Sequence, residues 1–297
     1  MNTRTLAILA AIGATTIYGL NHTIAKAAMP EYVKPFGFIM LRVMGGAVLF
    51  WAISFFGPKE KIDKKDYPTL VLCALFGMGF NMLSFFKGLS LSTPINSAVL
   101  ITTTPIIVLI LSVIFIKEKV ANKKILGVFI GLAGALGLIL FGAEIRQDAP
   151  NIPLGNFFLI LNSTFFGFYL IIAKKLISKY HPFTFMKWLF TLGIFICLPF
   201  GHEELMQIEW ATLPPNIIFS IAFVILGTTF CTYLFNIYAL TKLKASTLST
   251  FGYLQPLIGI LYAVLTGQDS LTTIKIIATS LVLLGVYLAS RKPKEAT

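Results

Sequence analysis

Polar side chains recur inside long apolar runs of this chain, and they are the groups that could do chemistry. Asn21 and His22 lie together in the first run, Asn81 in the third, and Thr103 within the triplet Thr102-Thr103-Thr104 in the fourth. Tyr169 is in the sixth run, Tyr233 and Asn236 in the eighth, and Tyr253 and Gln255 in the ninth. Amides, hydroxyls and phenols give and take hydrogen bonds without carrying charge. In an apolar medium a polar group facing outward has no partner, so these groups must face one another or a shared wet cavity. Hydrogen bonds between helices, worth about 0.6 kcal/mol each, are one reading. A binding site for a small polar or amphipathic solute is the other, because tyrosine offers an apolar face and a hydroxyl together. Their concentration in runs 1, 3, 4, 6, 8 and 9 favours the cavity.

Charges are scarcer in these runs and cost about 2.5–3.5 kcal/mol each at a bilayer centre. Lys26, toward the end of the first run, either snorkels to the interface or forms a cationic site at the mouth of a central cavity. Arg42, in the second run, reads more readily as a clamp on helix-end carbonyls than as a solute ligand. Lys87 and Lys187 belong to the interface. Glu118 and Asp269 end the fourth and ninth runs and can pair with nearby lysines to hold loop geometry. No acidic residue lies in the middle of a run, so no carboxylate proton relay is expected. His22 could titrate near neutral pH or pack as a hydrogen-bonded neighbour of Asn21. Pro105 and Pro256 each remove a backbone donor inside a run, which suits a hinge or a bent cavity wall; inert membrane prolines are the other reading. Cys73, Cys197 and Cys231 are packing residues, with neither disulfide nor metal-ligand spacing. No His-Glu-x-x-His, Gly-x-Ser-x-Gly or Walker loop is present. No cofactor is expected, and a lipid-modifying membrane enzyme or a channel is only the runner-up to a transporter.

The elements that position these groups follow from composition. Of 297 residues 57% are hydrophobic and 12% charged, about half the charge of a soluble domain. A typical cytosolic enzyme, a disordered scaffold and a disulfide-rich secreted domain are excluded. Ten runs approach the roughly 20 apolar residues that cross a bilayer: about Thr5–Ala28, Pro35–Phe56, Thr69–Leu89, Pro94–Ile116, Lys123–Gly142, Leu154–Lys174, Pro182–Phe200, Asn216–Leu240, Ala245–Thr266 and Thr272–Ser290. The first is longer than a signal-peptide core and is expected to stay. With the N-terminus cytoplasmic, 17 of the 24 Lys and Arg residues fall in the inner segments, so both termini are predicted to be cytoplasmic. The net charge of +12 is spread over alternate loops without a continuous stripe, which argues against nucleic acid as a partner. The expected partners are the bilayer and a small-molecule solute; the oligomeric state is not legible.

The ten runs split into two fives. Thr16, Gly19, Ile24, Ala25 and Lys26 match Thr164, Gly167, Ile172, Ala173 and Lys174 at an offset of 148. Pro105, Glu118 and Gly134 match Pro256, Asp269 and Gly285 at 151. Residues 1–146 and 147–297 therefore read as two repeats forming one structural unit. Five is odd, so the second repeat is inverted relative to the first, a signature of secondary transporters. The predicted fold is an all-α integral membrane protein: ten transmembrane helices, as two inverted five-helix repeats around a central cavity. Gly127, Gly131, Gly134 and Gly137 make the fifth run a close-packing helix, echoed in the tenth by Ala278, Gly285 and Ala289; whether its partner is internal or another subunit is open.

Tyr18-Gly19-Leu20-Asn21 with Ala25-Lys26, Met40-Leu41-Arg42, Leu100-Ile101-Thr102-Thr103-Thr104-Pro105 and Tyr253-Leu254-Gln255-Pro256-Leu257 together resemble the drug/metabolite transporter superfamily. The likeness is to bacterial EamA-type ten-helix transporters in particular, and it covers essentially the whole chain. Where that family often has Gly-Glu after the fourth and ninth helices, this chain has Lys117-Glu118 and Gln268-Asp269. The resemblance implies a transporter or exporter of small metabolites, commonly amino acids, in the bacterial cytoplasmic membrane, working by alternating access.

Overall fold

A computed structural model of the chain describes residues 3–29, 31–116, 122–141, 147–243, 251 and 254–290, and over these it is all-α. Span 1 is Thr3–Ala27 and span 2 Pro35–Ser54. Span 3 is built from Tyr67–Ala74, a π-helical stretch Leu75–Phe80 and Asn81–Leu91. Span 4 is Pro94–Ile101 and Thr104–Ile116, span 5 Asn122–Phe141, span 6 Ile152–Lys179 and span 7 Pro182–Met206. Span 8 joins Pro215–Ala222, a π-helical stretch Phe223–Cys231 and Thr232–Lys242; spans 9 and 10 are Leu254–Leu265 and Thr273–Ser290. Seven spans are long and apolar enough to cross a bilayer as described; in spans 5, 9 and 10 the qualifying stretches, Ile125–Leu138, Leu254–Leu265 and Thr273–Leu288, are shorter.

The span boundaries follow from local chemistry. Proline occupies the first helical turn of spans 2, 4, 6 and 7, where its missing N–H costs nothing. The Thr93 and Asn151 side chains cap spans 4 and 6 by accepting from Asn96 N and Leu154 N. Gly267, at φ 68°, ends span 9 in the left-handed conformation that glycine adopts without strain.

Span 1 packs on spans 8 and 9, while span 6 packs on spans 3 and 4. The opening helix of each half thus packs against the third and fourth spans of the other, and the halves interlock. Spans 2 and 7 pair along their length, as do spans 5 and 10. The partner of span 5 is therefore internal: Gly131 lies against Gly285 of span 10. Large apolar side chains such as Phe55, Phe56, Phe129, Leu140 and Phe195 stay exposed on the outside, where lipid takes the place of a core.

The ends of spans 2 and 7 are tied reciprocally. Glu204, near the end of span 7, accepts from Phe36 N at 2.6 Å and Gly37 N at 2.9 Å at the start of span 2. Glu60, after span 2, accepts from His181 N at 2.9 Å at the start of span 7. Each carboxylate meets the positive end of a helix. Nearby, Lys179 donates to both Asp63 and Asp66, and the Tyr180 hydroxyl to Asp66. The hydrogen bond from Lys179 is the main cause that holds the Asp63 carboxyl below the usual carboxylate range. A lowered carboxylate pKa contributes stability above the unfolded value and loses it as pH falls through the folded one. A Lys179→Met protein should therefore lose less of its melting temperature on acidification than the wild type. Parallel melting-temperature profiles against pH would refute this.

Candidate functional site

A cavity of about 670 Å³ lies between the halves, lined by spans 1 to 4 and 6 to 10. Of the residues singled out in the sequence, Asn21, His22, Arg42, Asn81, Pro105, Tyr169, Tyr233, Asn236 and Gln255 line it together. They arrive from seven different spans. The lining reaches Ile177 near the end of span 6. Toward the opposite end of the bundle it extends in span 3 only to Phe85, short of that helix's end at Leu91.

Two devices let the helices open around this space. In span 4 the helix breaks at Thr102-Thr103, just before Pro105. Pro105 cannot bond the carbonyl of Ile101, and its ring crowds that group. The Thr104 hydroxyl takes up the freed carbonyl of Ile101 at 2.7 Å, and those of Thr102 and Thr103 donate to Val99 O and Leu100 O, which also accept backbone N–H groups, both at 2.6 Å. The second device is the π-helical stretch, which falls at equivalent places in spans 3 and 8. It puts Gly77, Met78 and Thr228 on the cavity wall, and such bulges often mark functional sites. Neither stretch is marked by hydropathy or spacing; the Gly77-x-Gly79 pair inside span 3 is the one sequence signal for them. Gly77 is required there, since a Cβ would meet the Tyr169 ring at 2.6 Å.

The wall is a network of hydrogen bonds across spans. Thr228 Oγ1 donates to Asn21 Oδ1 at 3.0 Å. His22 Nδ1 lies 2.9 Å from Ser97 Oγ, and its Nε2 3.4 Å from Gln255 Nε2. Asn81 and Asn162 each donate an amide N–H to the other's backbone carbonyl, at 3.0 and 2.9 Å. Arg42 Nε donates to Thr229 Oγ1 at 2.9 Å, and its guanidinium sits 5.9 Å from the Phe86 ring centre. The Tyr233 ring stands edge-on to Phe50 at 5.7 Å, and Tyr169 leans on Phe166 at 5.6 Å. Some of these groups thus serve each other. The hydroxyls of Tyr18, Tyr169 and Tyr233 and the amide of Asn236 make no hydrogen bond to described residues.

Other residues lie elsewhere. Thr103 is fully buried with its hydroxyl on Leu100 O, outside the lining that Thr102 and Thr104 share. Pro256 is buried and off the cavity, and the carbonyl four residues before it lies outside the described residues. Tyr253 and Glu118 lie outside the described residues. Asp269 forms a buried ion pair with Lys275 at 2.8 Å and accepts from Ile95 N at the start of span 4. Lys26 neither snorkels nor lines the cavity: it is 4% exposed, and its Nζ donates at 2.9 Å to Leu89 O and Ser90 O, the last carbonyls of span 3. The clamp expected of Arg42 is thus made by Lys26, while Arg42 faces the cavity. Lys26 meets span 3 where that helix ends, whereas Arg42 meets span 8 within its π-helical stretch. Lys87 and Lys187 rest over the Phe36 and Trp51 rings at 6.0 and 4.7 Å. The sequence reading had no means of finding the apolar lining, Met78, Met82, Phe85, Phe166 and Met186. Such residues look like core until a cavity is known.

A helical membrane bundle with a cavity of mixed polar and apolar lining between two interlocked halves is an architecture suited to carrying a solute. Among the described residues no three His, Cys, Asp or Glu side chains come together to hold a metal ion. The family model of the EamA-like transporter family matches the chain twice, over residues 5–140 and 153–291, and the chain belongs to that family. It is a multi-pass integral membrane protein and a secondary transporter of a small molecule, not an enzyme. An uncharacterized transporter of Archaeoglobus fulgidus is 28% identical over 277 residues, 93% of this chain and 96% of the relative. The uncharacterized transporter YyaM of Bacillus subtilis is 24% identical over 292 residues, 96% and 95% of the two chains. A solved crystal structure superposes with a TM-score of 0.61 at 17% identity over 95% of this chain and 96% of that one, a likeness of fold.

Proposed function

We propose that the chain is a secondary-active exporter of a small metabolite, such as an amino acid, working by alternating access in the bacterial cytoplasmic membrane. In this reading both termini are cytoplasmic and the inverted repeats are residues 1–146 and 147–297. The observation that carries it is an asymmetry between repeat-equivalent ends of the bundle. Lys26 is buried on the carbonyls that end span 3, whereas Lys174, its equivalent 148 residues on, is exposed. Two equivalent modules holding unequal conformations can exchange them, and the exchange moves access from one face to the other. Pro105 and the Thr102-Thr103 break provide a place for span 4 to bend. The solute must prefer one state over the other, since equal affinity for both moves nothing.

Asn21, His22, Asn81, Tyr169, Tyr233, Asn236 and Gln255 form the polar wall that the solute meets. Reconstituted Asn21→Ala/Tyr233→Ala/Gln255→Ala protein should carry out solute counterflow at least about tenfold more slowly than wild type, the equivalent of about 1.4 kcal/mol. Flux equal to the wild type's would sink the assignment of these residues.

A further inference from the structure

We propose that Arg42 is the solute-recognition residue of the cavity, and that it selects a solute carrying one small anionic group, such as a carboxylate, on an apolar, ring-sized body. The proposal rests on the carrier reading above and specifies its solute class.

Among the described residues Arg42 is the one permanently charged side chain on the cavity wall, and no Asp or Glu lies on that wall. Its Nε is spent on Thr229 and its flat face on Phe86. Among the described residues the terminal Nη groups have no acceptor, and no carboxylate lies within ion-pair distance of them. The other cations of the interior differ. Lys26 holds two backbone carbonyls and Lys275 holds Asp269. A guanidinium with a purely structural duty would be saturated by the protein in the same way. Left unpaired in a low-dielectric bundle it is costly, and a carboxylate satisfies its planar fork with two parallel hydrogen bonds.

The rest of the wall fits the other end of such a solute. Phe85, Phe166, Met78, Met82 and Met186 present ring faces and soft thioethers, surfaces that accept rings of varied shape. An ammonium group would find no carboxylate there and would be repelled by Arg42. The expected order is therefore anion first, zwitterion second and cation last.

The test is thermal shift on the full-length detergent-purified protein with 3-phenylpropionate, phenylalanine and 2-phenylethylamine, probes that share a ring and differ in charge. The acid should stabilise the protein saturably, phenylalanine less, and the amine not at all. Arg42→Gln should weaken the acid's affinity at least about tenfold, and Arg42→Lys should keep part of it. Should Arg42→Gln fail to fold, Thr229→Val removes the acceptor that orients the guanidinium. It should weaken the acid while leaving binding of neutral 3-phenylpropanol unchanged. Equal stabilisation by acid and amine, no stabilisation by the acid, or full retention of its affinity in Arg42→Gln would each overturn the proposal. Counterflow of the same probes at neutral pH, where acid and amine are both charged, with flux into protein-free vesicles subtracted, separates the two readings. Flux of the amine overturns the solute class and leaves the carrier intact; binding of the acid with no flux of any probe supports Arg42 and overturns the carrier.

Discussion

Replacing Gly285 with valine should cost the protein about 3 kcal/mol or more of stability and lower its melting temperature in detergent by several degrees. Spans 5 and 10 approach so closely that a Cβ on Gly285 would overlap the backbone N and Cα of Gly131, and it would lie 2.7 Å from Gly127 O. These are backbone atoms, so no side chain can turn aside; the two helices must separate. Even alanine should cost about 1–3 kcal/mol as an overpacked contact. Gly137, on the same span 5, supplies the control, because a Cβ there meets nothing within 4 Å. Gly137→Ala should be neutral or slightly stabilising, since alanine is the better helix former by about 1 kcal/mol. Melting curves that rank Gly285→Val with Gly137→Ala would refute the close approach.

Asp269→Asn should be the second large loss, about 3–5 kcal/mol, because it leaves the Lys275 ammonium without its counter-charge in a site where both side chains are fully buried. The Asp269 carboxylate also accepts from Ile95 N at 3.1 Å, so the same change loosens the start of span 4. Lys275→Met alone takes the ammonium from the carboxylate, which keeps the N–H groups of Ile95 and Ser270. The double variant Asp269→Leu/Lys275→Met removes both charges and should recover most of the loss, because a buried ion pair contributes little beyond what an apolar pair of similar volume does. The readout is a double-mutant cycle of thermal unfolding. Single variants within about 0.5 kcal/mol of wild type, as at an exposed pair, would show that the pair is not buried in the working protein.

Much of the architecture was legible in one dimension. Scarce charge and ten apolar runs required a bilayer, because a soluble surface cannot be built from so few charged groups. The near-constant offset between Thr16–Lys26 and Thr164–Lys174, and between Pro105 and Pro256, exposes the repeat in the sequence itself. Odd helix number then implied inversion. These are properties of hydropathy and spacing, and they survive any rotation of a helix about its axis.

The site was legible only in part, because rotation about the axis decides which side a residue faces. Thr102, Thr103 and Thr104 are adjacent in sequence, yet the outer two line the cavity and the middle one is buried against its own helix. Lys26 and Arg42 are both single cations in apolar helices, and by sequence Arg42 reads as the clamp and Lys26 as the snorkelling or cavity-mouth cation. Tertiary structure gave Lys26 the Leu89 and Ser90 carbonyls near the end of span 3, and gave Arg42 the Thr229 hydroxyl, the Phe86 ring and a place on the cavity wall. The π-helical stretches and the pairing of span 5 with span 10 were likewise decided by which surfaces meet. Composition determined the solvent, the helices, their number and their twofold plan. Contacts between residues as distant as Asn21 and Thr228, or Arg42 and Thr229, determined the cavity, because hydrogen bonds across helices depend on axial rotation and crossing, which no local pattern encodes.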